Sequence, residues 1–289
     1  MSPAGVGTAR IEAVGIVVPA RDEQDRVAQC LRALADAADR LPPTVAVAVC
    51  LVADRCRDAT VPVARSAWAG RPGLEVVHNE TELTVGQLRD HGVRILLRRL
   101  PAARERTWLL HTDADTVVPP GWVLDHLRHA DTGADAVAGS VDLDEPHALP
   151  PEALCRYAEV VAAGFRQHRH AYAANLGVRA SAYAGVGGFP PVLSGEEHAL
   201  LARLRRAGRP VLVPTDVRAR TSARVHGRAR GGLADLLLGL SVVTRDDGDG
   251  HPARVTRVRP PGPERVRRVL SAVEPAVTGP AAASPARSA

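Results

Sequence analysis

Short unbroken apolar runs alternate along this chain with stretches whose apolar positions recur every three to four residues. Val14 to Val18, Val45 to Val52, Leu74 to His78 and Thr107 to His111 belong to the first kind. Continuous Val, Ile and Leu suit strands buried on both faces, as in a mainly parallel sheet covered by helices. Val27, Cys30, Leu31 and Leu34 belong to the second kind. Their i, i+3, i+4, i+7 spacing gathers them on one helical face. The repeating strand, helix, strand rhythm predicts an α/β fold, a mainly parallel sheet flanked by helices.

The ends of the chain break this rhythm. Residues 1–11 are small and polar, and residues 246–289 run through Pro, Ala and Arg with few large apolar side chains, so both read as flexible tails around a domain at 12–245. No apolar run approaches the roughly eighteen residues of a membrane span, the longest candidate being Leu233 to Val243, and Met1 leads into a polar start. A soluble, cytoplasmic protein is expected, with at most peripheral membrane contact.

Composition adds little. All 37 basic residues are arginine and are spread along the chain, so the net charge of +5 reflects codon bias as much as function, and no nucleic-acid partner is expected. The four cysteines form no CxxC pair, which argues against a zinc ribbon or a disulfide scaffold.

In parallel sheets, ligands bind beyond the carboxyl ends of the strands. After the first strand comes Pro19-Ala20-Arg21-Asp22-Glu23, which lacks the glycines that let a backbone approach a dinucleotide pyrophosphate. Dehydrogenase and methyltransferase functions lose their main support. After the second strand, Ala53-Asp54-Arg55-Cys56-Arg57-Asp58 is an acidic loop suited to a sugar hydroxyl or a base edge, although Asp58 equally suits a helix cap. After Thr107 to His111 comes Thr112-Asp113-Ala114-Asp115. In extended geometry, residues two apart face one side, so Asp113 and Asp115 would converge on one hard cation such as Mg or Mn.

These segments, with VGQLRDHG, DADTVVPPGW, NLGVRASAYAGVGGFP and SGEEHALLARLRRAG followed by TSARVHGRARGG in order, resemble the family 2 glycosyltransferases of GT-A fold over about Ile11 to Leu240. The resemblance implies an inverting enzyme that moves a hexose from a UDP- or GDP-sugar, with Mg or Mn, to a small-molecule or lipid-linked hydroxyl acceptor. It implies a nucleotide-binding half at about 12–145 and an acceptor half at about 146–245, that Pro19, Ala20, Glu23 and Asp54 hold the nucleoside with Arg89 nearby, that Asp115 is the chief metal ligand with Asp113 beside the ribose or the metal, and that Gly187 and Gly188 lie against the donor sugar. The family's usual Glu-Asp pair stands here as Glu196-Glu197, which puts Glu197 in the position of the general base and leaves Glu196 as the other candidate. Family members that carry membrane helices after the transferase domain differ from this chain, which makes a processive polysaccharide synthase improbable.

Several residues carry competing readings. Ser194-Gly195-Glu196-Glu197 also fits a capping box, with Ser194 capping a helix that ends near Gly208. His226 suits a third metal ligand, a diphosphate donor or a solvent-facing loop histidine; Arg224 and Arg228 suit diphosphate contacts, since a guanidinium fork matches phosphate oxygens, or equally an ordinary arginine surface. His168 and His170 fit a polar helix face better than a metal cluster. Asn175 suits either a sugar contact or a turn, and Trp122, Tyr157, Tyr172 and Phe189 either an acceptor wall or core. Other functions remain in view: a sugar-phosphate nucleotidyltransferase, which the missing glycines after the first strand disfavour, a nucleic-acid binder, for which aromatic stacking residues are lacking, and a donor-binding protein without turnover.

Overall fold

The structure, a computed structural model, describes residues 9–166, 171–228 and 231–241. The tail read at 246–289, residues 1–8 of the other tail, and His168 and His170 lie outside the described residues. Of the N-terminal segment, Ile11 is buried in the core and the Ala9 carbonyl accepts a hydrogen bond from Arg179 Nη1.

The first half begins with β1 (Ala13–Ala20), α1 (Val27–Ala38), β2 (Ala46–Asp54), α2 (Thr60–Ala67), β3 (Leu74–Asn79), α3 (Val85–Arg99) and β4 (Thr107–His111). Next come β5 (Thr116–Val117), α4 (Trp122–Asp131), β6 (Ala136–Ala138) and β7 (Ser140–Asp144). The rest comprises α5 (Pro151–Arg166), β8 (Leu176–Arg179), α6 (Ala180–Gly185), α7 (Glu196–Arg206), β9 (Val211–Leu212), β10 (Arg218–Ser222) and α8 (Leu233–Ser241).

The main sheet has the order β3-β2-β1-β4-β8-β6-β9. Its first four strands are parallel, β8 runs antiparallel to both β4 and β6, and β9 is parallel to β6. A smaller sheet, β5-β10-β7, stands beside it. The strand periodicity of two divides the core cleanly. Val14, Ile16 and Val18 of β1, with Val49 and Leu51 of β2, pack with Val27, Cys30, Leu31 and Leu34 of α1 and with Trp122 of α4. Val17, Cys50 and Val52 turn to the opposite face and pack with Leu88, Val93 and Leu96 of α3 and Leu200, Leu201 and Leu204 of α7. The i, i+3, i+4, i+7 set of α1 is therefore its buried face.

The two halves read in the sequence share both sheets. β8 lies between β4 and β6, and β10 lies between β5 and β7. Asn175, one residue before β8, is the pin at this junction. Its Oδ1 accepts from Trp122 Nε1 at 2.8 Å and from His126 Nε2 at 3.1 Å, and its Nδ2 donates to the Ser140 carbonyl at 2.7 Å and the Val217 carbonyl at 3.1 Å. The side chain is fully buried with every polar position in use, so it has no group left for a sugar. Trp122 and Phe189 are likewise core, and Tyr157 of α5 packs with Leu237 of α8 in a smaller apolar cluster.

Two buried histidines make stability sensitive to acid. Burial pushes His126 down to about 3, against a smaller opposing effect of Asn175, and burial followed by the nearby Arg89 charge holds His111 well below the ordinary imidazole value. Below the ordinary value near 6.5, the unfolded chain takes up protons that the folded chain refuses, so stability is present above that pH and drains as pH falls toward 3. Each histidine is expected to remove up to about 1.4 kcal/mol per pH unit over this window. Urea denaturation at pH 7 and pH 5 measures it; equal midpoints at the two values would contradict the burial of these neutral rings.

Candidate functional site

The carboxyl ends of β1, β2 and β4 open onto one cavity, closed on its far side by the start of α7 and the segment after β10. β1 delivers Pro19, Ala20, Arg21 and Glu23; β2 ends on Asp54; the turn after β4 supplies Asp113 and Asp115; α3 contributes Arg89; α7 contributes Glu196 and Glu197. Arg224 and Arg228 complete the wall. The residues gathered here come from runs more than a hundred positions apart in the chain.

Asp54 is buried and accepts from Asn79 Nδ2 at 2.8 Å, with Arg55 Nε at 3.3 Å from the same oxygen and Arg21 Nη1 3.8 Å from the other. The loop that holds it is braced against the Arg21-to-Glu23 loop. Asp58 accepts from the Gln24 and Thr60 N–H groups at 3.0 and 2.9 Å, and Asp22 accepts from the Arg57 N–H at 2.7 Å. Asp58 thus joins two loops and does not line the cavity, while Asp54 does. Asp22, Cys56 and Asp58 are the one group of three metal-type side chains whose ligand atoms come together among the described residues, and their place is this brace.

The Asp113-to-Asp115 segment departs from the extended geometry expected of it. The Thr116 N–H donates to the Asp113 carbonyl at 3.0 Å, which closes a turn. The two carboxylates still reach the cavity, but in different settings, with side-chain exposures of 40% for Asp113 and 11% for Asp115. Asp113 accepts a hydrogen bond from Arg89 Nη2. Asp115 lies 3.0 Å from Arg224 Nη2 and accepts from Thr221 Oγ1 at 3.4 Å. Burial pushes Asp115 up to about 6, opposed by Arg224 and reinforced by Asp113 and Glu23. Thr221 was not singled out in the sequence. β10 pairs antiparallel with β5, which sets Thr221 opposite Thr116, and Thr116 Oγ1 donates to Thr221 Oγ1 at 3.0 Å. The signal for it is the short alternating run Arg218-Ala219-Arg220-Thr221-Ser222, whose buried members are Ala219, Thr221 and Ser222.

Arg89 is placed by a helix the sequence encodes strongly. Thr84 accepts from the Gln87 N–H and the Gln87 side chain accepts from the Thr84 N–H, a full capping box. Arg89 Nη1 donates to the Thr112 carbonyl at 3.1 Å, and its Nε lies 3.8 Å from Glu196 Oε1.

The capping box expected at Ser194 is absent. Gly195 is the N-cap residue, with φ of +72°, and no side chain caps the helix. A left-handed residue there turns the chain so that α7 starts at Glu196, one residue later than a serine cap requires. Both glutamates are thereby freed from capping. Glu196 is buried, raised by that burial and held back chiefly by Arg89. Glu197 Oε1 lies 3.0 Å from His198 Nδ1.

Three expected site residues fall outside the cavity lining. Gly187 and Gly188 form a left-handed turn after α6, and a Cβ on Gly188 would meet Asp90 and Tyr183. His226 is exposed, and its neighbours Gly227 and Arg228 line the cavity in its place. Arg228 Nη2 donates to the Asp22 carbonyl at 3.1 Å. Of the four aromatics considered, Tyr172 lines the cavity, alongside Ala173, Ala174, Leu193 and Leu233. No helix among the described residues is long and apolar enough to cross a membrane.

Comparison with known proteins places this arrangement in context. The sequence model described as glycosyl transferase family 2 matches residues 15–180. No curated protein sequence matches the chain. Among solved structures, residues 1–349 of Staphylococcus aureus TarS in complex with UDP-GlcNAc superpose with a TM-score of 0.55 at 15% identity, covering 75% of this chain and 60% of that one. The mannosyltransferase PcManGT from Pyrobaculum calidifontis, in complex with GDP-Man and Mn2+, gives 0.55 at 17% identity, covering 78% and 61%. The chain thus spans about three fifths of each of these two, and the likeness at such identity is one of fold, the GT-A arrangement.

Proposed function

Because the chain belongs to glycosyltransferase family 2, we propose that it moves a hexose from a UDP- or GDP-sugar to a hydroxyl acceptor, small or lipid-linked, with inversion at the anomeric carbon. The observation that carries this reading is the convergence of Asp54, Asp113, Asp115, Glu196 and Glu197 on one cavity at the carboxyl end of a parallel sheet. UDP-GlcNAc in TarS and GDP-Man with Mn2+ in PcManGT support the donor class.

In this reading Pro19, Ala20 and Asp54 hold the nucleoside, with Asp54 offering its carboxylate to a ribose or base donor. Asp115, joined by Asp113, would hold a divalent Mg or Mn, and hard carboxylate oxygens in a partly closed cavity fit such an ion. An ion held there would supply neutralisation of the charge that develops on the departing diphosphate. Arg228 reaches diphosphate oxygens from the rim. Glu197 accepts the proton of the acceptor hydroxyl as that oxygen attacks the anomeric carbon from the side opposite the diphosphate, which departs with the electron pair of the broken bond. Glu196, turned toward Arg89, braces the arginine that holds Asp113. The nucleotidyltransferase alternative is disfavoured, since the loop after β1 contains no glycine to cradle a triphosphate.

The test is thermal stabilisation of the protein by UDP-, GDP- and TDP-sugars, each with Mn, Mg or EDTA. A shift with UDP or GDP compounds is expected in the presence of metal, and Asp115→Ala is expected to remove its metal-dependent part. A panel without any shift would overturn the donor assignment, and a shift indifferent to EDTA and to Asp115→Ala would overturn the metal assignment.

A further inference from the structure

The carboxylate that the proposed function assigns to a metal already faces a cation, and that cation belongs to the chain. Arg224 Nη1 and Nη2 donate to Glu23 Oε2 and Oε1 at 2.8 and 2.6 Å, and Nη2 lies 3.0 Å from Asp115 Oδ2. One guanidinium thus holds two carboxylates whose side chains are only 6% and 11% exposed. A divalent cation on Asp115 and this guanidinium cannot occupy the same side of the carboxylate, because both carry positive charge and each needs the oxygen lone pairs directed at it.

The other arginine of the site behaves differently. Arg89 is 1% exposed, lies mid-helix, and is tied to the Thr112 carbonyl as well as to Asp113. It is built in. Arg224 is 28% exposed and stands two residues past the end of β10, in the segment leading to α8. The hydrogen bonds and ion pair of its fork run to these two carboxylates, so rotation of its own side chain releases both.

Resting on the assignment of Asp115 as metal ligand, we infer that Arg224 is a resident counter-cation of the donor site, which neutralises Glu23 and Asp115 while no donor is bound and exchanges them for the diphosphate when donor and metal arrive. The divalent ion and the diphosphate arrive with opposite charges, so the net charge of the site changes little, and Glu23, freed of the guanidinium, is left to the nucleoside. Asp115 gives up a guanidinium and gains a divalent ion, while the guanidinium gives up carboxylates and gains phosphate oxygens, partners its planar fork suits equally well. Metal and nucleotide then assist each other: metal alone must displace Arg224 with nothing to receive it, whereas nucleotide supplies the receiving anion.

Binding of Mn to the donor-free protein, read from the free Mn signal by electron paramagnetic resonance, tests this. Arg224→Gln is expected to bind Mn about tenfold more tightly than wild type, and its affinity for UDP or GDP at saturating Mn is expected to fall about tenfold. Arg224→Lys, which keeps the charge without the fork, is expected to fall between the two and serves should the glutamine variant fold poorly. Asp115→Asn locates the binding. If wild type and both variants bind Mn equally, and Asp115→Asn abolishes it, the counter-cation role is overturned while the metal assignment stands. If none binds Mn with or without nucleotide, both are overturned together.

Discussion

Replacing Glu197 by glutamine is expected to lower acceptor-dependent release of nucleoside diphosphate by about a hundredfold or more while leaving nucleotide affinity unchanged. The substitution keeps the shape of the side chain and removes its capacity to take a proton. An acceptor hydroxyl is a weak nucleophile, and the loss falls on the attacking step. Glu196→Gln makes the informative partner. Glu196 lies beside Arg89, which in turn holds Asp113, so its loss is expected to weaken metal-dependent donor binding and to act on turnover through that. Turnover measured at saturating donor separates the two: a large fall for Glu197→Gln with a small one for Glu196→Gln supports the assignment, and the reverse pattern moves the base to Glu196.

The second large effect concerns stability. Asn175→Leu removes a carboxamide whose four hydrogen bonds join α4, β7 and the approach to β10, leaving Trp122 Nε1 and His126 Nε2 as buried donors and the Ser140 carbonyl short of its partner. Each unpaired buried group costs about 1 to 3 kcal/mol, and because the groups form one network the combined loss is expected to be about 3 to 5 kcal/mol. For a domain of ordinary stability that is a large fraction of the total. The midpoint of urea denaturation measures it, and a loss under about 1 kcal/mol would show that water or a repacked neighbour replaces the amide.

The sequence made the central strands legible because burial on both faces leaves runs such as Val14 to Val18 with no polar residue to confuse them. β5, β6 and β9 are two or three residues long and carry no period of their own, so they come into being through neighbours that the sequence places far away. The acidic positions at strand ends were legible for the same reason as the strands. Their conformation was not. The turn at Asp113 depends on a bond between Thr116 and the Asp113 carbonyl, and the start of α7 depends on a left-handed Gly195, a choice that Ser-Gly-Glu-Glu leaves open between two helix starts. Asn175 shows the opposite limit: an isolated Asn before Leu-Gly-Val has the same local signature whether it meets sugar or protein, and its four partners lie 35 to 53 positions away.

The interleaving of strands has a consequence for how the protein is made. Synthesis delivers β5 and β7 early, but the strand that belongs between them, β10, emerges about a hundred residues after β5. Until Thr221 arrives the Asp115 turn lacks its cross-strand support, and until Arg224 follows, the acidic groups Glu23 and Asp115 stand without their counter-charge. On the ribosome this acidic corner of the cavity is therefore finished late, with α8 alone to follow among the described elements, and a nascent chain cut short before β10 exposes a half-built cavity to chaperones and proteases.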